Sequence, residues 1–103
     1  MRIEVMEVSQ GNTFIKSSDA DYGLVWVSIW DLFPNRNTDL PWLSGIEEYG
    51  TTFFNDTQLV NVLAELDKVK LGINDKKIVK EIDKTIEFIK SKSKFSLIKF
   101  LGD

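Results

Sequence analysis

The chain has 103 residues, 43% hydrophobic and 28% charged, with a net charge of −3, two prolines, no cysteine and no histidine. This length supports one domain, the composition argues against disorder, and the missing thiols exclude disulfides and thiolate metal sites. The missing imidazoles remove the commonest general base and zinc ligand, so the expectation is a protein with no catalytic residue, metal or cofactor.

Residues 2–8 alternate and predict a strand. Ile3, Val5 and Glu7 share one face, and Arg2, Glu4, Met6 and Val8 share the other. This start lacks the apolar segment of a signal peptide, and no run approaches the roughly 20 apolar residues of a membrane span. The expected location is therefore the cytoplasm. Residues 9–12 read as a turn, because Gly11 and Asn12 tolerate positive φ, and residues 13–17 return as a second strand. A loop at 19–23 leads into a third strand at 24–30. One of its faces is Val25, Val27 and Ile29; the other is Leu24, Trp26, Ser28 and Trp30. With both faces apolar, either both are covered or one is sticky.

From residue 31 to 51 nothing longer than a turn is expected, and Pro34 and Pro41 read as β-turn prolines. Long irregular stretches in small domains are usually functional or disordered. Trp42, Leu43, Ile46 and Tyr49 supply anchors that argue for order.

Residues 51–54 suggest a short strand. Asn55 then fits a helix N-cap, with Gln58 placed to complete a capping box and Asp56 suited to the helix dipole. The helix is expected over 56–70, with Leu59, Val62, Leu63, Leu66 and Val69 on one face. Gly72 and Asn74 break it. A second helix over 75–92 carries the stripe Ile78, Ile82, Ile86 and Ile89, with Lys77, Lys80, Lys84 and Glu87 opposite. Residues 95–101 close the chain as a strand, with Phe95, Leu97, Lys99 and Leu101 on one face and Ile98 and Phe100 on the other.

These elements predict a single α+β domain over residues 1–103. Its antiparallel sheet has four to five strands (βββ, short β, αα, β), with the helical hairpin packed on one face. The other sheet face is left without a helical layer.

The charge is unevenly distributed. Residues 17–67 hold nine acids against one base, Arg36, while residues 68–103 hold ten lysines against five acids. The lysines interleave with glutamates on a helix and read as a solvated face. The acidic stretch repels nucleic acid and attracts basic protein surfaces.

Standard catalytic and nucleotide-binding motifs are missing from the sequence. Asp19 and Asp21 resemble the start of a calcium loop that is not continued. Asp31 and Asp39 are the one carboxylate pair considered for acid–base work, and nothing in the sequence fixes their geometry. The expectation is therefore a binding protein. Its contact residues are expected to be Trp26, Trp30, Asp31, Asp39, Trp42, Glu47, Glu48 and Tyr49. Tryptophan and tyrosine dominate binding hot spots, and acids at a rim steer a basic partner. For each tryptophan alone, a core position is the better reading. The case for an interface rests on the sticky strand face, the anchored loop and the acid excess falling in one stretch.

The positions Leu40-Pro41-Trp42-Leu43, Ile46, Tyr49-Gly50, Thr52, Phe54-Asn55 and the terminal Lys99-Phe100-Leu101-Gly102-Asp103 resemble a pattern of small bacterial immunity proteins of contact-dependent growth inhibition systems. The resemblance implies a cytoplasmic, non-enzymatic inhibitor. Such a protein covers the active site or substrate surface of a cognate toxin, here expected to be a basic nuclease domain, without touching nucleic acid or membrane. The alternatives are a general interaction module or small subunit of a larger complex, and a small carboxylate enzyme.

Overall fold

The structure is a computed structural model and describes residues 2–9, 12–17, 36–47, 49–92 and 96–102. In chain order the elements are β1 (Arg2–Ser9), β2 (Asn12–Ser17), α1 (Arg36–Asp39), α2 (Pro41–Ser44), β3 (Thr51–Phe54), α3 (Asp56–Leu71), α4 (Lys76–Lys90) and β4 (Leu97–Leu101). The strands pair antiparallel in the order β2-β1-β4-β3. The α+β class is thus as expected. The strand expected at 24–30, which entered the count of four to five, lies outside the described residues.

Register explains the core. Ile3 lies opposite Phe100 and Val5 opposite Ile98, while Thr52 and Phe54 of β3 oppose the same two β4 residues. Alternation therefore gathers Ile3, Val5, Phe54, Ile98 and Phe100 on one sheet face, and all five are buried. Phe100 sits at the centre, edge-on to Phe54 with ring centroids 5.6 Å apart. The helical stripes of Leu59, Val62, Leu66 and Val69 on α3 and of Ile82, Ile86 and Ile89 on α4 complete this core.

Both long helices begin where local chemistry dictates. The Asn55 side chain accepts from the Gln58 N–H, and the Gln58 side chain accepts from the Asn55 N–H, each at 2.9 Å. This reciprocal pair satisfies two of the donors that every helix start leaves open. Asp75 caps α4 by accepting from the Lys77 N–H at 2.9 Å. Gly72 ends α3 and the chain turns back, so α3 and α4 lie as a hairpin. Lys70 pairs with Asp83 at 2.5 Å across it, and Lys92 pairs with Asp56 at its base. The exposed side of α4 carries Lys77, Lys80, Lys84 and Glu87, as the helical spacing predicts.

The opposite sheet face is not uniformly apolar. Glu4, Lys99 and Phe53 occupy successive cross-strand positions. The Glu4 carboxylate lies 3.9 Å from the Lys99 ammonium, and that ammonium lies 5.8 Å from the centre of the Phe53 ring. Met6, Leu97 and Leu101 on this face are half-buried.

Candidate functional site

Ahead of β3, the chain over residues 38–47 is held by buried side chains. Leu40, Leu43 and Ile46 point into the core and are at most 4% exposed. Pro41, read from the sequence as a β-turn proline, instead opens the four-residue helix α2. The two readings share the same proline φ, and at a first helical position the missing N–H costs nothing.

The start of α2 has no side-chain cap of its own. Its open donors are the N–H groups of Trp42 and Leu43. Both are taken by Glu65 of α3, a carboxylate buried between apolar neighbours. Glu65 Oε1 accepts from Trp42 N at 3.1 Å and from Leu43 N at 2.9 Å, and Oε2 accepts from Trp42 N at 3.0 Å. The next amide, Ser44 N–H, closes onto the Leu40 carbonyl at 2.9 Å. One turn along α3, the Lys68 ammonium donates to the Asp39 carbonyl at 3.3 Å. Opposite charges therefore meet opposite helix ends at the Asp39–Pro41 joint. The carboxylate faces the amide end of α2 and the ammonium faces the carbonyl end of α1, each the favoured polarity.

Past α2 the chain is tied at two more points. The Glu47 N–H donates to Thr52 Oγ1 at 3.0 Å, and the Gly102 N–H donates to the Gly50 carbonyl at 2.7 Å. The Glu47 side chain lies so close over Gly50 that a Cβ there would stand 3.3 Å from Glu47 Cβ and closer still to its carboxylate, which makes residue 50 a close-approach position.

Four of the eight residues expected to bind a partner are described here. Tyr49 is 82% exposed; Glu47, two residues before it, and Asp39, on the other side of α2, are also exposed. Trp42 is half-buried and packs against the core, edge-on to Phe54 at 6.5 Å. Its ring anchors the segment, with only part of it available to a partner. Trp26, Trp30, Asp31 and Glu48 lie outside the described residues. The Asp31–Asp39 carboxylate pair considered for catalysis therefore has only its Asp39 half placed.

Sequence reasoning missed Glu65, Lys68 and Phe53. A signal for Glu65 exists. It falls three residues after Val62 and four before Val69, so an acid stands within helical reach of the buried stripe. Phe53, 44% exposed, is the neighbour of Phe54 on an alternating strand and must face away from the core.

Among the described residues, no group of three or more acidic side chains is placed to hold a metal ion, and no helix is long and apolar enough to cross a membrane. No family model, curated protein or solved structure matches this chain.

Proposed function

We propose that this protein is an immunity-type inhibitor that binds a basic toxin domain, of the nuclease kind, through the segment around residues 38–53. The observation that carries the reading is Tyr49. A large aromatic ring stands 82% exposed on a segment that is otherwise pinned by buried side chains and hydrogen bonds. Ordering a contact loop in advance removes much of the entropy that binding otherwise costs. An exposed tyrosine on a segment that also exposes Asp39 and Glu47 suits an aromatic anchor with acids on the same segment, and such acids speed encounter with basic surfaces. The same acids disfavour direct contact with nucleic acid. Action in the cytoplasm, where a nuclease toxin meets its substrate, belongs to the same proposal.

The test is a binding measurement against the C-terminal domain of a large secreted protein encoded beside this gene. A stoichiometric complex is expected, with an association rate that falls as salt rises. Tyr49→Ala should weaken it by about tenfold or more through faster dissociation. The double variant Asp39→Lys, Glu47→Lys should slow association several-fold at low salt. A complex that ignores all three changes would refute this surface. Absence of any complex at micromolar concentration, or one insensitive to salt, would favour a general interaction module or subunit.

A further inference from the structure

We infer that Glu65 and Lys68 form a clamp that positions the partner-binding segment, and that this is why an acid is buried in α3. The consequence for binding rests on the reading proposed above; the clamp itself does not.

The argument begins with the placement of charge. A glutamate buried among valines and leucines must have its carboxylate hydrogen-bonded. Glu65 is only 8% exposed, and its carboxylate accepts from the Trp42 and Leu43 amides, more than twenty residues away in sequence. Among the described residues, these amides of α2, not groups of its own helix, are what its carboxylate bonds. With Pro41 lacking an N–H and Ser44 bonded to Leu40, Glu65 completes the donor accounting of α2. A four-residue helix does not form alone, because nucleation is unfavourable and one turn recovers little of its cost. α2 is therefore held by its contacts, and Glu65 supplies the polar ones. Lys68, one turn further along the same helix, holds the preceding carbonyl, so the joint at Leu40 is gripped from both sides. Asp39 lies at this joint, and the chain carrying Glu47 and Tyr49 leaves α2 directly after it. The orientation of all three follows from the clamp.

The test is amide hydrogen exchange on the intact protein. In Glu65→Gln the acceptor loses its charge, one oxygen remains for both N–H groups, and the other becomes a donor that opposes the Trp42 N–H. Exchange at Trp42 and Leu43 is expected to accelerate roughly ten- to hundredfold, while Val62, Leu66, Ile98 and Phe100 keep their rates. Lys68→Ala, an exposed change that leaves the core untouched, should accelerate Ser44 and its neighbours by a few-fold, and Lys68→Arg should restore them. Unchanged rates at Trp42 and Leu43 would overturn the clamp. So would an equal rise across the core, which would make Glu65 a general stability residue. If exchange responds as expected while affinity for the toxin domain does not, the clamp stands and the assignment of this segment to partner binding falls.

Discussion

Glu65→Leu separates two accounts of a buried charge. Replacing a buried ion pair by apolar side chains of similar size is often neutral or stabilising, since both charges disappear together. Here the partners are main-chain amides, which no substitution removes. Leucine matches the size of glutamate and suits its neighbours Val62, Leu66 and Val69. It leaves the N–H groups of Trp42 and Leu43 without their acceptor. Two hydrogen bonds to a charged acceptor contribute about 1.5–3 kcal/mol each. Burial of the leucine returns about 1.5–3 kcal/mol. The net expectation is a loss of about 2–3 kcal/mol. Urea denaturation followed by far-ultraviolet circular dichroism is the assay. With a slope of about 1–3 kcal/mol per molar urea for a domain this small, the midpoint should fall by about 0.7–3 M at unchanged slope. A midpoint equal to or above that of the wild type would refute the reasoning. It would mean that water reaches the two amides and that the carboxylate contributes nothing net.

Phe100→Ala should destabilise by about 3–5 kcal/mol, because the ring is fully buried on a central strand and also loses its edge-on contact with Phe54; thermal melting reads this directly. Lys70 is held above the ordinary lysine pKa of 10.5, first by its hydrogen bond to Asp83, which outweighs the lowering by desolvation, and further by the charges of Asp83 and Asp67. A lysine whose folded pKa is raised contributes stability fully below the unfolded value and loses it as pH rises through the folded one. Stability should therefore decline above about pH 10.5, and Asp83→Asn should flatten that decline in a pH series of melting temperatures. At neutral pH the same substitution should cost little, because the pair is solvent-exposed.

What the sequence discloses depends on the distance over which each feature is decided. The Asn55–Gln58 capping box is legible because donor and acceptor lie three residues apart. The stripes of α3 and α4 are legible because burial follows the helical period. The faces of β4 are legible because alternation puts Ile98 and Phe100 together regardless of the neighbouring strand. The course of residues 38–47 is decided at longer range. Pro41 is equally suited to a turn and to the first turn of a helix, and the choice falls to Glu65, which reaches it across 22 and 23 residues. The Glu4–Lys99 contact likewise depends on β1 pairing with β4, the first and last strands of the chain, and no local pattern reports that pairing. Trp42 illustrates a third limit. Composition marks it as an interface residue, but a tryptophan beside Leu40 and Leu43 can also serve the core, and its edge-on packing against Phe54 shows that it does.

The acids of residues 17–67 do not act as one uniform patch. Among those described, Glu65 is buried and committed to the α2 amides, and Asp56 is paired with Lys92. Asp67 is exposed on α3, where its charge acts on Lys70. Asp39 and Glu47 remain on the proposed binding segment, on either side of α2. Two rim charges accelerate encounter modestly and are screened at physiological salt, where the Debye length is about 8 Å. A tight complex at this surface therefore has to draw its affinity from slow dissociation. That places the burden on Tyr49. An exposed ring holds its partner well only if the backbone carrying it does not yield. The ties at Glu47, Gly50 and Glu65 supply that resistance, so the buried carboxylate on α3 and the exposed aromatic ring in the loop are two ends of the same device.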